Sequence, residues 1–80
     1  MKHFVIVNDW ANEYECGTTI LGVTHSIEEA KEIFNQYLVE EKEYAENHCF
    51  EVYDDCDTVF DAGEDGYYAA NHTNLYIQMV

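Results

Sequence analysis

Ser26 and Glu29 open the segment that most narrows what this chain can become. A serine followed three residues later by a glutamate is a capping box, in which two orphan backbone donors of a helix start are satisfied reciprocally. Behind it, apolar side chains return at Ile27, Ala30, Ile33, Phe34, Tyr37, Leu38, Tyr44 and Ala45, the spacing of one helical face. Glu28 and Glu29 suit the positive end of the helix dipole. The pattern predicts one helix from Ile27 to about Asn47, with Ile27, Ile33, Phe34, Tyr37 and Leu38 turned inward. A helix with one apolar face needs a second layer to pack against.

The rest of the chain supplies strands. Phe4 to Val7 is a short, β-branched apolar run that reads as a strand buried on both faces. Asn8 to Tyr14, polar and acidic around Trp10, reads as a loop or wide turn. Cys16 to Val23 reads as a second strand, with Gly17 and Gly22 marking its end or a bulge. Phe50, Val52 and Asp54 alternate with Glu51 and Tyr53 as a third strand, which Thr58 to Phe60 either extend or follow with another. Asp61 to Gly66 reads as a turn, and Leu75 to Val80 as a final strand. The order ββαββ predicts an α+β domain, a mostly antiparallel sheet with one amphipathic helix across one face. At 80 residues, with no Pro and no repeat, the chain is one domain over residues 1–80 with a modest core.

Charge sets the functional expectation. Seventeen Asp and Glu face three Lys and no Arg, a net charge of −14. That balance argues against direct binding to nucleic acid or to anionic membrane, since both need basic patches. Seven acids lie on the helix segment (Glu28, Glu29, Glu32, Glu40, Glu41, Glu43, Glu46) and seven between Glu51 and Asp65. Glu28 with Glu32, and Glu40 with Glu43, stand at helical spacing, where like charges weaken a helix. A helix tuned for stability alone would alternate its signs. DNA likewise carries regularly spaced negative charge on a stiff support, and an acidic protein can take the same basic groove, steered by its own field. The candidate partner-binding residues are Glu28, Glu32, Glu40, Glu43, Asp54, Asp55, Asp57, Asp61, Glu64 and Asp65. The competing reading of the same acids is a solvated face kept for solubility.

In size, charge and layout the chain resembles the small acidic inhibitors carried by phages and mobile elements, the anti-CRISPR and anti-restriction proteins that mimic DNA. Residues 3–60 are similar to the first domain of the anti-restriction protein ArdA, through Phe4-Val-Ile-Val7, Thr19-Ile-Leu-Gly22, Glu28-Glu29 and Glu51-Val-Tyr-Asp-Asp55. The chain is far shorter than a complete protein of that family. The resemblance implies inhibition by occupying the DNA site of a defence nuclease, with a basic nucleic-acid-binding surface as the partner.

Other chemistry is weaker. An EF-hand frame on Asp61, Asp65 and Gly66 places His72 where the bidentate glutamate belongs. An irregular cation site among Asp54, Asp55, Asp57, Asp61 and Asp65 is the alternative function, as a divalent-cation or small-ligand module; an accessory protein–protein domain is a third. His48, Cys49 and Cys56 lack zinc spacing, and Cys49 and Cys56 read as small buried or half-buried residues. No phosphate-binding loop is present, so no nucleotide site is read; with the carboxylate field as the dominant feature, no cofactor and no enzymatic activity are expected. An odd number of cysteines (Cys16, Cys49, Cys56) fits a reducing compartment. The apolar run near Met1, Phe4 to Val7, is too short for a leader or a membrane span, so a cytoplasmic location is expected. The oligomeric state stays open, with an edge strand at Leu75 to Val80 as a candidate dimer contact.

Overall fold

The computed structural model describes residues 2–64 and 71–80. Two strands, β1 (Phe4–Ala11) and β2 (Cys16–Thr24), precede α1 (Ile27–Asn47), and three follow: β3 (Glu51–Asp55), β4 (Val59–Gly63) and β5 (His72–Met79). All pairings are antiparallel, in one sheet of order β2-β1-β5-β4-β3, with the helix on one face. The expected α+β architecture therefore holds, and Val59 and Phe60 begin a strand of their own, with Thr58 in the turn before it.

The helix starts as its cap dictates. Ser26, in extended conformation, accepts from the Glu29 amide through its hydroxyl oxygen. The carboxylate that returns to the cap is that of Glu28, which takes the Ser26 hydroxyl proton at 2.8 Å. That bond, before any other influence, holds the Glu28 carboxyl below its ordinary range. The helix ends in a Schellman motif: Cys49 N–H donates to the Glu46 carbonyl and Phe50 N–H to the Ala45 carbonyl. Cys49 thereby takes a φ of 56°, the left-handed region. This turns Cys49 outward, and Cys56 sits in the β3–β4 turn, so both thiols are exposed instead of buried. A left-handed conformation costs a side-chain-bearing residue about 1–2 kcal/mol, partly offset by glycine's freedom when unfolded. Cys49→Gly should raise stability by about 0.5–1 kcal/mol, read as a few degrees in a thermal melt. A lower melting temperature would refute this account of the cap.

At about 1.5 Å per residue the 21-residue helix is about 31 Å long. Five strands at about 4.8 Å spacing span only about 19 Å, so the helix has length to cross the whole sheet. It leaves β2 at one edge and delivers the chain to β3 at the other. The β3–β4 hairpin then leaves one gap, between β4 and β1, and β5 fills it. Leu75 to Met79 is thus central, paired with β1 and β4, and not a free edge. The edges are β2 and β3. Every residue of β3 is exposed, and its Glu51, Asp54 and Asp55 discourage strand addition by charge.

Pairing on two sides also explains two displaced boundaries. Asn8 to Ala11, polar enough to read as loop, is strand because β2 and β5 flank it throughout. Asp61 to Gly63, expected to turn, is held between β3 and β5. The rest of the turn read at Asp61 to Gly66 passes through Glu64 to Asp65 and Gly66, which lie outside the described residues.

The core lies between helix and sheet. Ile6, Ala30, Phe34, Ala45, Phe60, Ala62 and Leu75 are buried, and Ile27, Ile33, Tyr37 and Leu38 pack around them. The register shift beyond Ile6 falls at Leu21 and Gly22. A Cβ on Gly22 would lie 3.2 Å from Ile33 Cδ1, so the missing side chain lets the helix close on β2. Val7 is buried on the opposite face, where the open side of the sheet also carries Val5, Tyr76 and Val59.

Candidate functional site

The helix turns most of its acids away from the sheet. At 3.6 residues per turn, Glu28, Glu32, Glu43 and Glu46 fall within about 60° of arc, over about 27 Å of helix. All four are exposed. Val39, 68% exposed, stands in the same strip as an apolar point among the carboxylates. Glu40 is rotated about 60° from Glu43, toward the side where the helix overhangs β1.

The two helix lysines form their ion pairs away from this strip. Lys31 Nζ pairs with Asp57 at 3.0 Å, and Lys42 Nζ with Asp55 at 3.2 Å. Both lysines are on the flank that faces the β3–β4 hairpin. The Lys31 ammonium holds the Asp57 carboxyl below its usual range. Exposed pairs of this kind contribute little energy. Their consequence is positional: they commit both ammonium groups to the hairpin, so the strip has no ion pair among the described residues, and Lys31 adds only the smallest of the influences on Glu28.

The other predicted residues are divided among different surfaces. Asp54 and Asp61 face each other across β3 and β4, on the open side of the sheet. Asp9 and Asn74 continue that row across β1 and β5. Asp9 accepts from Thr18 Oγ1 and from Tyr76 Oη, the latter at 3.1 Å. Burial, and then this bond to Asp9, push the Tyr76 phenol above its ordinary value. Glu64, at the end of β4, accepts from the Asn71 amide. Asp65 lies outside the described residues. The ten acids therefore do not form one surface: Glu28, Glu32 and Glu43 share the outer helix strip, Asp55 and Asp57 are lysine-paired, and Asp54 and Asp61 lie on the opposite side of the molecule. Among the described residues, no group of three or more His, Cys, Asp and Glu is placed to hold a metal ion. Among them, too, no helix is long and apolar enough to cross a membrane.

One acid behaves differently. Glu41 sits on the inward stripe, seven residues after Phe34 and four after Tyr37. Its carboxylate accepts from Asn8 Nδ2 at 3.0 Å and from Thr73 Oγ1 at 2.7 Å. Thr73 is 2% exposed, so this bond is made at the base of a cleft. The cleft, about 360 Å³, is lined by Trp10, Glu40, Glu41, Tyr44 and Thr73 among others. Trp10 lies over Gly17, where a Cβ would come within 2.9 Å of its ring, and donates Nε1–H to Thr19. His48 stacks on Tyr44 with ring centroids 4.1 Å apart. The sequence places Glu41 among the seven helix acids without singling it out; its inward position in the 3.6-residue repeat was the available signal.

Comparison with protein-family models, with curated proteins and with solved structures finds no match for the chain.

Proposed function

We propose that this protein is a non-enzymatic acidic binding protein that occupies the basic nucleic-acid-binding surface of a host defence protein, as a DNA mimic of the anti-restriction or anti-CRISPR type. The observation that carries this reading is the outward strip of Glu28, Glu32, Glu43 and Glu46, which among the described residues holds no ion pair, while Lys31 and Lys42 are bonded to the β3–β4 hairpin. Supporting it is the density of charge on a small body. The longest extent of the molecule is 41 Å. B-DNA of that length, at about one charge per 1.7 Å, carries roughly 24 phosphates. The protein carries −14 net, more than half of that number.

The strip is the surface that a groove lined with Lys and Arg would meet, with Val39 as an apolar contact within it. Glu28 suits this role because its cap bond keeps it ionised to lower pH. Encounter would be steered by the field of the whole molecule and weakened by salt. Three exposed thiols suit action in a reducing cytoplasm.

The test is capture of a partner at low salt, followed by competition. A nucleic-acid-binding protein retained by this chain should be displaced by duplex DNA and should lose its DNA cleavage or binding when the chain is added. Retention of abundant basic proteins alone, indifferent to DNA, would assign the charge to solubility and end this reading.

A further inference from the structure

The cleft beneath the second half of α1 holds a carboxylate that the fold does not neutralise. Glu41 is half-buried on the stripe of the helix that faces the sheet, and its two oxygens meet only neutral donors, Asn8 Nδ2 and Thr73 Oγ1. Among the described residues the ion pairs are Lys31–Asp57 and Lys42–Asp55, so no described cation reaches Glu41. Taking a carboxylate partly out of water without a counter-charge is unfavourable. A glutamine would fill the same space and hydrogen-bond the same neighbours at less cost. The charge therefore has no structural use that the surroundings reveal.

The surroundings do suit a cation. A carboxylate has about four acceptor sites, and Asn8 and Thr73 use two. These two bonds also fix the group's orientation, as a binding site requires. Trp10 and Tyr44 stand in the cleft wall, and aromatic faces attract a cation within about 6 Å of the ring centre, Trp most strongly. Glu40 at the rim adds a second negative charge. The volume of about 360 Å³ lies at the small end for ligand pockets, sufficient for a planar guanidinium or a primary ammonium on a short alkyl stem.

We propose that this cleft binds a guanidinium or primary alkylammonium group, with Glu41 as its counter-charge, Trp10 and Tyr44 as its walls and Asn8 and Thr73 holding the carboxylate in place. The group is carried by a free amine or by an Arg or Lys side chain; the recognition chemistry is the same for both. The site is independent of the outward strip, because it uses none of Glu28, Glu32, Glu43 or Glu46.

Trp10 is the only tryptophan, so its fluorescence reports on the cleft in the intact protein. Agmatine titrated at constant ionic strength should give a saturable change, with a dissociation constant on the order of 1 mM. Its neutral analogue butylurea should give none. Glu41→Gln should weaken agmatine by at least about tenfold with an unchanged far-UV circular dichroism spectrum, because a charge-assisted contact is lost without loss of volume. Tyr44→Leu, which leaves the carboxylate intact, should weaken it by about threefold or more. The triple variant Glu28→Gln/Glu32→Gln/Glu43→Gln should bind agmatine within about twofold of the parent, which separates this site from the strip. A comparison with the blocked tripeptide acetyl-Gly-Arg-Gly-amide assigns the source: tighter binding of the peptide identifies a protein side chain, tighter binding of agmatine a free amine. Equal affinity in Glu41→Gln, saturation by butylurea, or an equal loss in the triple variant would overturn the proposal.

Discussion

Truncating Phe34 to alanine is expected to abolish the cooperative unfolding transition at low ionic strength. Phe34 is fully buried, in one cluster with Ile6, Phe60 and Leu75. Removing a buried aromatic ring of this kind costs about 3–5 kcal/mol. A domain of 80 residues has about 4–12 kcal/mol in total. Mutual repulsion within a net charge of −14 places this one toward the lower end. The deletion therefore consumes most of the margin. Added salt, which screens that repulsion, should restore part of the transition. Thermal and urea unfolding, followed by far-UV circular dichroism at two salt concentrations, checks both statements. Each kcal/mol moves the melting temperature of a domain this size by about 4–8 °C. A fall of less than about 10 °C would mean that the core does not depend on the packing of helix on sheet described above.

The second large effect concerns the strip. Replacing Glu28, Glu32, Glu43 and Glu46 by glutamine should lower affinity for a partner by at least about tenfold at low salt, mostly through slower association. It should also flatten the dependence of affinity on salt, since fewer screened charges take part. The same variant should be at least as stable as the parent, because like-charge neighbours on the helix each cost about 0.2–0.5 kcal/mol. Opposite signs for binding and stability separate a functional charge from a structural one. Glu28 complicates the sum slightly, because glutamine gives the Ser26 hydroxyl a weaker partner. The control is a variant of Asp54 and Asp61, which lie on the open side of the sheet. Unchanged affinity in the helix variant, with loss in the control, would move the contact to the sheet face. Loss in neither would refute charge-driven binding.

Much of the fold is legible in single stretches of sequence. The helix bounds follow from Ser26 and the apolar repeat because capping and amphipathic spacing act within one or two turns. Phe34 at the core follows from the same repeat. The bulge at Gly22 was signalled by a glycine inside a strand pattern. What failed was each inference that depended on a neighbour. Asn8 to Ala11 is polar yet strand, because partners on both sides satisfy its backbone. Leu75 to Met79 is central, because a helix long enough to cross the sheet delivers β3 to the far edge.

The candidate site divides along the same line. That the outer helix face is acidic is a statement about spacing, and sequence was enough for it. That Lys31 and Lys42 form their ion pairs with Asp57 and Asp55, and not with the strip, depends on where the β3–β4 hairpin docks. That Glu41 meets Asn8 and Thr73 joins positions 33 and 32 residues apart. By itself the sequence determined the sign of the charge, the helix and its inward face, since these arise from composition and from contacts within a few residues. Only the tertiary structure decided which carboxylates share a surface, which are paired, and which one faces a cleft. Those outcomes are set by strand order and helix crossing, and by contacts between residues far apart in the chain.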